Sequence, residues 1–286
     1  MAAAGDLARR VAVAAVGVPF GIWVIALGGW PLGLVLGAVA VGSAHEFFGL
    51  ARARGAAPFA GPGMLAAGLL AATPLLYSGS AERLLLPIWS GVVLLFLGVA
   101  GAAVFLRGVE GRPFEAITST LTGVVYTGGT LSFAGLLRGL AGGEPLAGAA
   151  LLIFPLLVTW IGDTFAYFGG RAWGRHKLAP KVSPKKTVEG ALAGLAGSAA
   201  AGGLFAGFAL QRWEPAVSVG AAILIAVVLG AVGQIGDLAE SVLKREAGVK
   251  DSGTLLPGHG GLLDRFDAIF FTVPVAYGLF RLWGLG

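Results

Sequence analysis

The stretch from Ser241 to Asp267, SVLKREAGVKDSGTLLPGHGGLLDRFD, carries Lys244, Arg245, Glu246, Lys250, Asp251, Asp264, Arg265 and Asp267, with a single His259 set among glycines. Acids and bases interleaved this densely suit the handling of phosphate. Carboxylates hold a hard cation, ammonium and guanidinium groups neutralise phosphate oxygens, and glycines beside His259 let backbone amides approach an anion. These are the parts of a phosphoryl- or nucleotidyl-transfer site, where metal and basic side chains share the charge of the reacting phosphates. The chain has no cysteine, so a metal would be held by oxygen or histidine, and the expected ion is Mg²⁺. A lone His in a glycine loop is a weak signal by itself.

Two further stretches extend the set. Asp163, in TWIGDTFAYFGG, and Asp237 with Glu240, in GQIGDLAESVLKR, stand where apolar surroundings would favour Leu. A carboxylate in hydrocarbon costs about 2.5–3.5 kcal/mol even on lenient insertion scales, so such residues face a polar cavity or a partner. On a helix, Asp237, Ser241 and Lys244 or Arg245 share one face, Asp163 shares a face with Tyr167, and Asp264 and Asp267 are one turn apart. Two readings stay open: several carboxylates converging on one site, or single acids each paired to a loop lysine.

The run RAWGRHKLAPKVSPKKTVEG, residues 171–190, supplies such lysines. Thr187 or Ser183 is placed to cap the helix that follows, leaving Lys185 and Lys186 for an anion. A basic cluster lying on acidic lipid would explain the charge but not the Ser-Pro and Thr.

The elements that must position these residues follow from composition. Of 286 residues 56% are hydrophobic and only 12% charged, and the mean hydropathy is +0.84, far from the roughly one quarter of charged residues in soluble proteins. The reading is an all-α, polytopic integral membrane protein. A spanning helix needs roughly 20 apolar residues, and cutting at charges, Pro and Gly clusters leaves nine stretches: Val11 to Gly29, Pro31 to Leu50, Gly63 to Ser78, Leu84 to Phe105, Glu115 to Leu137, Leu146 to Phe168, Gly190 to Leu210, Ala216 to Leu238 and Phe266 to Trp283. No strand-like alternation competes with them. The first stretch is too long for a signal peptide with so many spans behind it, and is read as a retained helix. One membrane domain, residues 1–286, is expected, with an N-terminal helical half, 1–145, and a catalytic half, 146–286.

Basic residues test this division, because positive charge stays on the cytoplasmic side during insertion. The N-terminus (Arg9, Arg10) and the second (Arg52, Arg54), fourth (Arg107, Arg112), sixth (Arg171, Arg175, Lys177, Lys181, Lys185, Lys186) and eighth (Lys244, Arg245, Lys250, Arg265) loops hold 16 of the 20 Lys and Arg. The expected orientation therefore has the N-terminus and both rich polar loops in the cytoplasm, with the site at the cytoplasmic face of the cell membrane. This scatter over short loops also argues against nucleic acid as the partner of a chain with formal charge +5. Small residues recur through Gly190 to Gly207, a pattern for close helix packing, inside one subunit or along a homodimer seam.

The polar pattern resembles that of the phosphatidate cytidylyltransferase, or CDP-diacylglycerol synthase, family. The resemblance rests on Ser241, Lys244, Arg245, Lys250, Asp251, Pro257, His259, Gly260, Gly261, Asp264, Arg265 and Asp267, and extends to Asp163, Tyr167 and the run from Ser183 to Gly190. It covers the C-terminal half; residues before about Ala150 match only as generic spans. It implies the reaction of CTP with phosphatidic acid to give CDP-diacylglycerol and pyrophosphate in phospholipid biosynthesis. It also implies a divalent-metal centre on Asp237 and Asp264, with Asp163, Asp251 and Asp267 as candidate further ligands, and leaves room for a second ion. Lys244 and Arg265 join these two acids as catalytic candidates. Arg245, Lys250, Lys185 and Lys186 would bind phosphates, and Ser241, His259, Asp163 and Tyr167 would orient substrate.

The rival from another class is a cation-coupled transporter with Asp163 and Asp237 as ion relay. It sits poorly with acids gathered at one face beside basic loops and with the lack of a visible repeat. A CDP-alcohol phosphotransferase would share the metal logic, but its DG-x2-AR motif is absent.

Overall fold

The computed structural model describes residues 2–76, 81–214, 216–255 and 260–285, with side chains from 15 onward except at 76, 81–83 and 85. Among these residues nine helical bodies follow one another, one on each expected apolar stretch. They are α1 Ala2–Leu27, α2 Gly29–Ala53, α3 Ala60–Leu76, α4 Ala81–Leu106, α5 Pro113–Gly139, α6 Pro145–Trp173, α7 Val188–Trp213, α8 Val219–Glu246 and α9 Leu263–Leu282. Six of them, α2 and α4 to α8, hold stretches long and apolar enough to cross a membrane; Ala15–Leu27 of α1 and Ala60–Leu75 of α3 are shorter apolar helices. The last, α9, opens on Asp264, Arg265 and Asp267, which break its apolar run.

α6 and α8 continue beyond the apolar stretches, to Trp173 and Glu246. Polar pairs one turn apart sustain these extensions: the Arg171 guanidinium donates to the Tyr167 hydroxyl at 3.4 Å, and Lys244 pairs with Glu240 at 2.7 Å. Asp163 and Asp237 therefore lie nine or ten residues inside their helix ends, roughly 14 Å along the axis.

Among the described residues one segment departs from an all-helical reading. Lys177–Ala179 (β1) and Ser183–Thr187 (β2) form an antiparallel hairpin, in the register Lys177 to Thr187 and Ala179 to Ser183. Its turn is closed by Val182 N–H donating to Ala179 O, and Val188 N–H donates to His176 O at its base. Pro180 and Pro184 deny this loop a helix, and its few apolar residues show no strand period, so local pattern could not announce the hairpin.

Packing divides the chain into two compact units, residues 1–135 with 246–265, and residues 136–245 with 266–286. In the first, Phe48 is fully buried between α2, α3 and α5; a Cβ on Gly63 would lie 2.6 Å from its ring, and one on Gly123 would collide with it. A π-helical turn at Val125–Gly129 brings Gly128 against the backbone of Ala67.

In the second unit α6 and α7 meet through small residues. A Cβ on Gly190 would lie 2.8 Å from Ala166 O, one on Gly194 3.0 Å from the Ala166 Cβ, and the Ser198 hydroxyl donates to Val158 O. The small-residue stretch thus has a partner within its own chain. Gly236 does the same for α8 against α9, where a Cβ would lie 2.9 Å from Asp267 O and from the Phe271 ring. Phe154, fully buried, packs edge-on against Phe205 and Phe280.

Candidate active site

The second unit assembles the larger polar cluster. α6 contributes Asp163, α8 contributes Asp237, Glu240, Ser241 and Lys244, and α9 contributes Asp267. The close approach at Gly236 is what sets Asp267 beside α8. Asp163, Asp237 and Asp267 lie within electrostatic reach of one another, with Lys186 acting on Asp163 and Lys244 on Asp267. Three carboxylates near one another are costly without compensating cations. The shortest compensation comes from the hairpin, whose Lys186 Nζ lies 2.7 Å from Asp237 Oδ2. The other oxygen of Asp237 faces the Ser241 hydroxyl at 3.4 Å, as their four-residue spacing requires.

Strand alternation decides which lysine reaches in. Lys186 is half-buried and meets Asp237, while its neighbour Lys185 is exposed. The strand leads directly into α7, where Thr187, buried, caps the helix by accepting from Gly190 N–H at 3.1 Å. Glu189 in the first turn anchors the hairpin's base, accepting from the amides of Arg175 and His176 and pairing with His176 Nδ1 at 2.6 Å. A contact from Arg245 Nε to Val182 O at 3.3 Å ties the hairpin to α8.

The expected single face on α8 is split. Asp237 and Ser241 share it, but Lys244 turns to Glu240, a fully buried acid, and Arg245 to the hairpin. Tyr167, 61% exposed, accepts from the Arg171 guanidinium.

The first unit holds a second cluster. Asp264 Oδ2 accepts from Ser252 N–H at 2.9 Å, the Ser252 hydroxyl at 3.0 Å and Gly261 N–H at 2.9 Å, so this carboxylate clamps both sides of its loop. Gly260 sits at φ +80°, a left-handed conformation natural to glycine, and a Cβ there would come 3.0 Å from Asp264 Oδ2. Lys250, Asp251 and Arg265 are exposed, and His259 lies outside the described residues. The same cluster contains an acid that sequence reasoning passed over, Glu46 of α2, which accepts from Leu262 N–H and Leu263 N–H and shares the single proton of the Ser252 hydroxyl with Asp264. An acid within the apolar run of the second stretch, in AHEFF, was the available signal.

Among the described residues no three Asp, Glu or His close on one point as a ready-made cation cage. The donors present are hard oxygens, and Mg²⁺ is content with one or two carboxylates completed by water and phosphate. Asp163, Asp237 and Asp267 offer oxygens of that kind, with Lys186 and Ser241 held against Asp237.

A model of the cytidylyltransferase family matches residues 8–283. A phosphatidate cytidylyltransferase of Synechocystis sp. is 34% identical over 291 residues, covering 94% of either chain. Proteins of the same name from Brucella abortus and Haemophilus influenzae are 43% identical, over 188 residues (64% of either chain) and 131 residues (46% of either chain).

Proposed function

The chain belongs to the cytidylyltransferase family, and from this we propose that Asp163, Lys186, Asp237, Ser241, Lys244 and Asp267 serve the transfer of a cytidylyl group from CTP to phosphatidic acid. Its activity is that of a phosphatidate cytidylyltransferase, a nucleotidyltransferase of phospholipid biosynthesis acting in a membrane. The family match leaves the transporter reading without support.

In the reaction a phosphate oxygen of phosphatidic acid bonds to the α-phosphorus of CTP, the α–β phosphoanhydride bond breaks, and pyrophosphate leaves with that electron pair. The nucleophile is already an anion, so the protein's tasks are alignment and charge neutralisation rather than proton abstraction. A bound Mg²⁺ would supply further positive charge to the phosphates. Asp237 is its first candidate ligand, with Asp163 and Asp267 in electrostatic reach; Asp264 and Asp251 keep the candidacy their motif positions give them. Lys186 and Lys244 bring positive charge to the cluster, Arg245, Lys250 and His259 are assigned to substrate by motif, and Arg265 keeps its catalytic candidacy. The site is proposed to face the cytoplasm, where CTP is, on the strength of the basic loops.

The observation that carries this reading is the Lys186–Asp237 pair, which joins the Ser183 to Gly190 run of the family resemblance to an acid one turn before Ser241, far apart in sequence. The test is Asp237→Asn. Turnover of radiolabelled CTP, dependent on phosphatidic acid and Mg²⁺, should fall at least about 100-fold while the protein inserts and purifies normally. Near-normal turnover would overturn the assignment.

A further inference from the structure

Glu46 is 4% exposed. Its Oε1 accepts from Leu262 N–H at 3.0 Å, and its Oε2 accepts from Leu263 N–H at 2.8 Å and lies 3.0 Å from the Ser252 hydroxyl. The two amides belong to the start of α9, where helix geometry leaves N–H groups without partners and favours negative charge. Ser252 Oγ lies 3.0 Å from Asp264 Oδ2 as well, so one hydroxyl stands between the two carboxylates. Gly253 and Gly261 flank the arrangement; a Cβ on Gly253 would lie 2.5 Å from Glu46 Oε1, and one on Gly261 would overlap the carboxylate. A buried charge with this set of donors, enclosed by two residues that must lack side chains, is a built contact.

We propose that Glu46 is a positioning residue for the cytidylyl transfer: its carboxylate fixes Ser252 and the first amides of α9, and through them sets the orientation of Asp264. The inference rests on Asp264 serving the reaction. A carboxylate is needed because both oxygens face donors. The amide of Gln would turn an NH₂ group toward one of them and leave a buried N–H unsatisfied. Asp, one methylene shorter, would not reach both amides and Ser252 from α2.

The test uses the full chain in lipid nanodiscs, with CTP turnover and amide hydrogen exchange measured on Glu46→Gln, Ser252→Ala and Asp264→Asn. Glu46→Gln should lower kcat at least about tenfold, with KM for CTP changed by less than about threefold, while exchange at 250–255 and 260–264 accelerates and that of α6 and α7 does not. The double variant Glu46→Gln, Ser252→Ala should lose less than the product of the two single losses, because the two residues share the Ser252 hydroxyl contact to Asp264. Unchanged kcat and exchange in Glu46→Gln beside an inactive Asp264→Asn would overturn the proposal. So would a Glu46→Gln whose only defect is a lower melting temperature. Full activity in Asp264→Asn would overturn it too, through the reading of Asp264 on which it stands. If Glu46→Gln does not accumulate, Ser252→Ala decides: slower turnover with faster exchange at 261–263 supports the positioning role, and wild-type values for both reject it.

Discussion

Lys185 and Lys186 are adjacent in sequence and chemically identical, yet only one of them reaches Asp237. The two side chains leave opposite faces of a strand, and that geometry separates their roles. Lys186→Gln is expected to lower kcat/KM for CTP at least about tenfold, the scale of losing a charged hydrogen bond, whereas Lys185→Gln should change it by less than about threefold. Steady-state kinetics of the two variants in parallel checks this, and equal losses would refute the distinction. Residue identity was legible for Asp163, Asp237, Ser241 and Asp267, because each is a polar group in apolar or motif surroundings. Pairing was less so. Lys244 fits the Asp237 face by spacing but turns instead to Glu240, and Glu46 joins a loop more than 200 positions later in the chain.

At the scale of elements, glycines decide how near the helices approach. Gly190 and Gly207 lie in the same helical body and read alike in sequence, but a Cβ on Gly190 would meet Ala166 O at 2.8 Å and Gly170 Cα at 3.0 Å, while one on Gly207 meets nothing within 4 Å. Gly190→Leu should therefore separate α7 from α6, costing about 1–3 kcal/mol or more and reducing activity as Lys186 is displaced. Gly207→Leu should leave both stability and activity near wild type. Thermal unfolding in detergent and CTP turnover report on the two variants. Thr187→Ala, which deletes the cap at the same junction, should cost about 1 kcal/mol by the same measurement. The helices were legible because long apolar runs state their own extent. The hairpin was not, since two short strands held by backbone hydrogen bonds and by Glu189 have no periodic apolar pattern to betray them.

For the whole molecule, the expected orientation puts residues 171–190 in the cytoplasm and the α5–α6 connection outside. The chain lacks cysteine, so single cysteines report cleanly. One replacing the exposed Glu144 should react with an impermeant maleimide in intact cells, and one replacing the exposed Lys181 only after the membrane is opened. The reverse pattern would turn the proposed cytoplasmic site to the other side. By itself the sequence determined the all-helical membrane class, the nine helical bodies, the family resemblance and most of the polar residues. These follow from local composition and spacing, which hydrocarbon and helix geometry constrain strongly. Only the tertiary structure decided that Lys186 rather than Lys185 meets Asp237, that Glu240 claims Lys244, and that Glu46 binds the start of α9. Each is a contact between side chains whose reach depends on how closely helices and strands pack, and that distance is set by partners elsewhere in the chain rather than by neighbours in sequence.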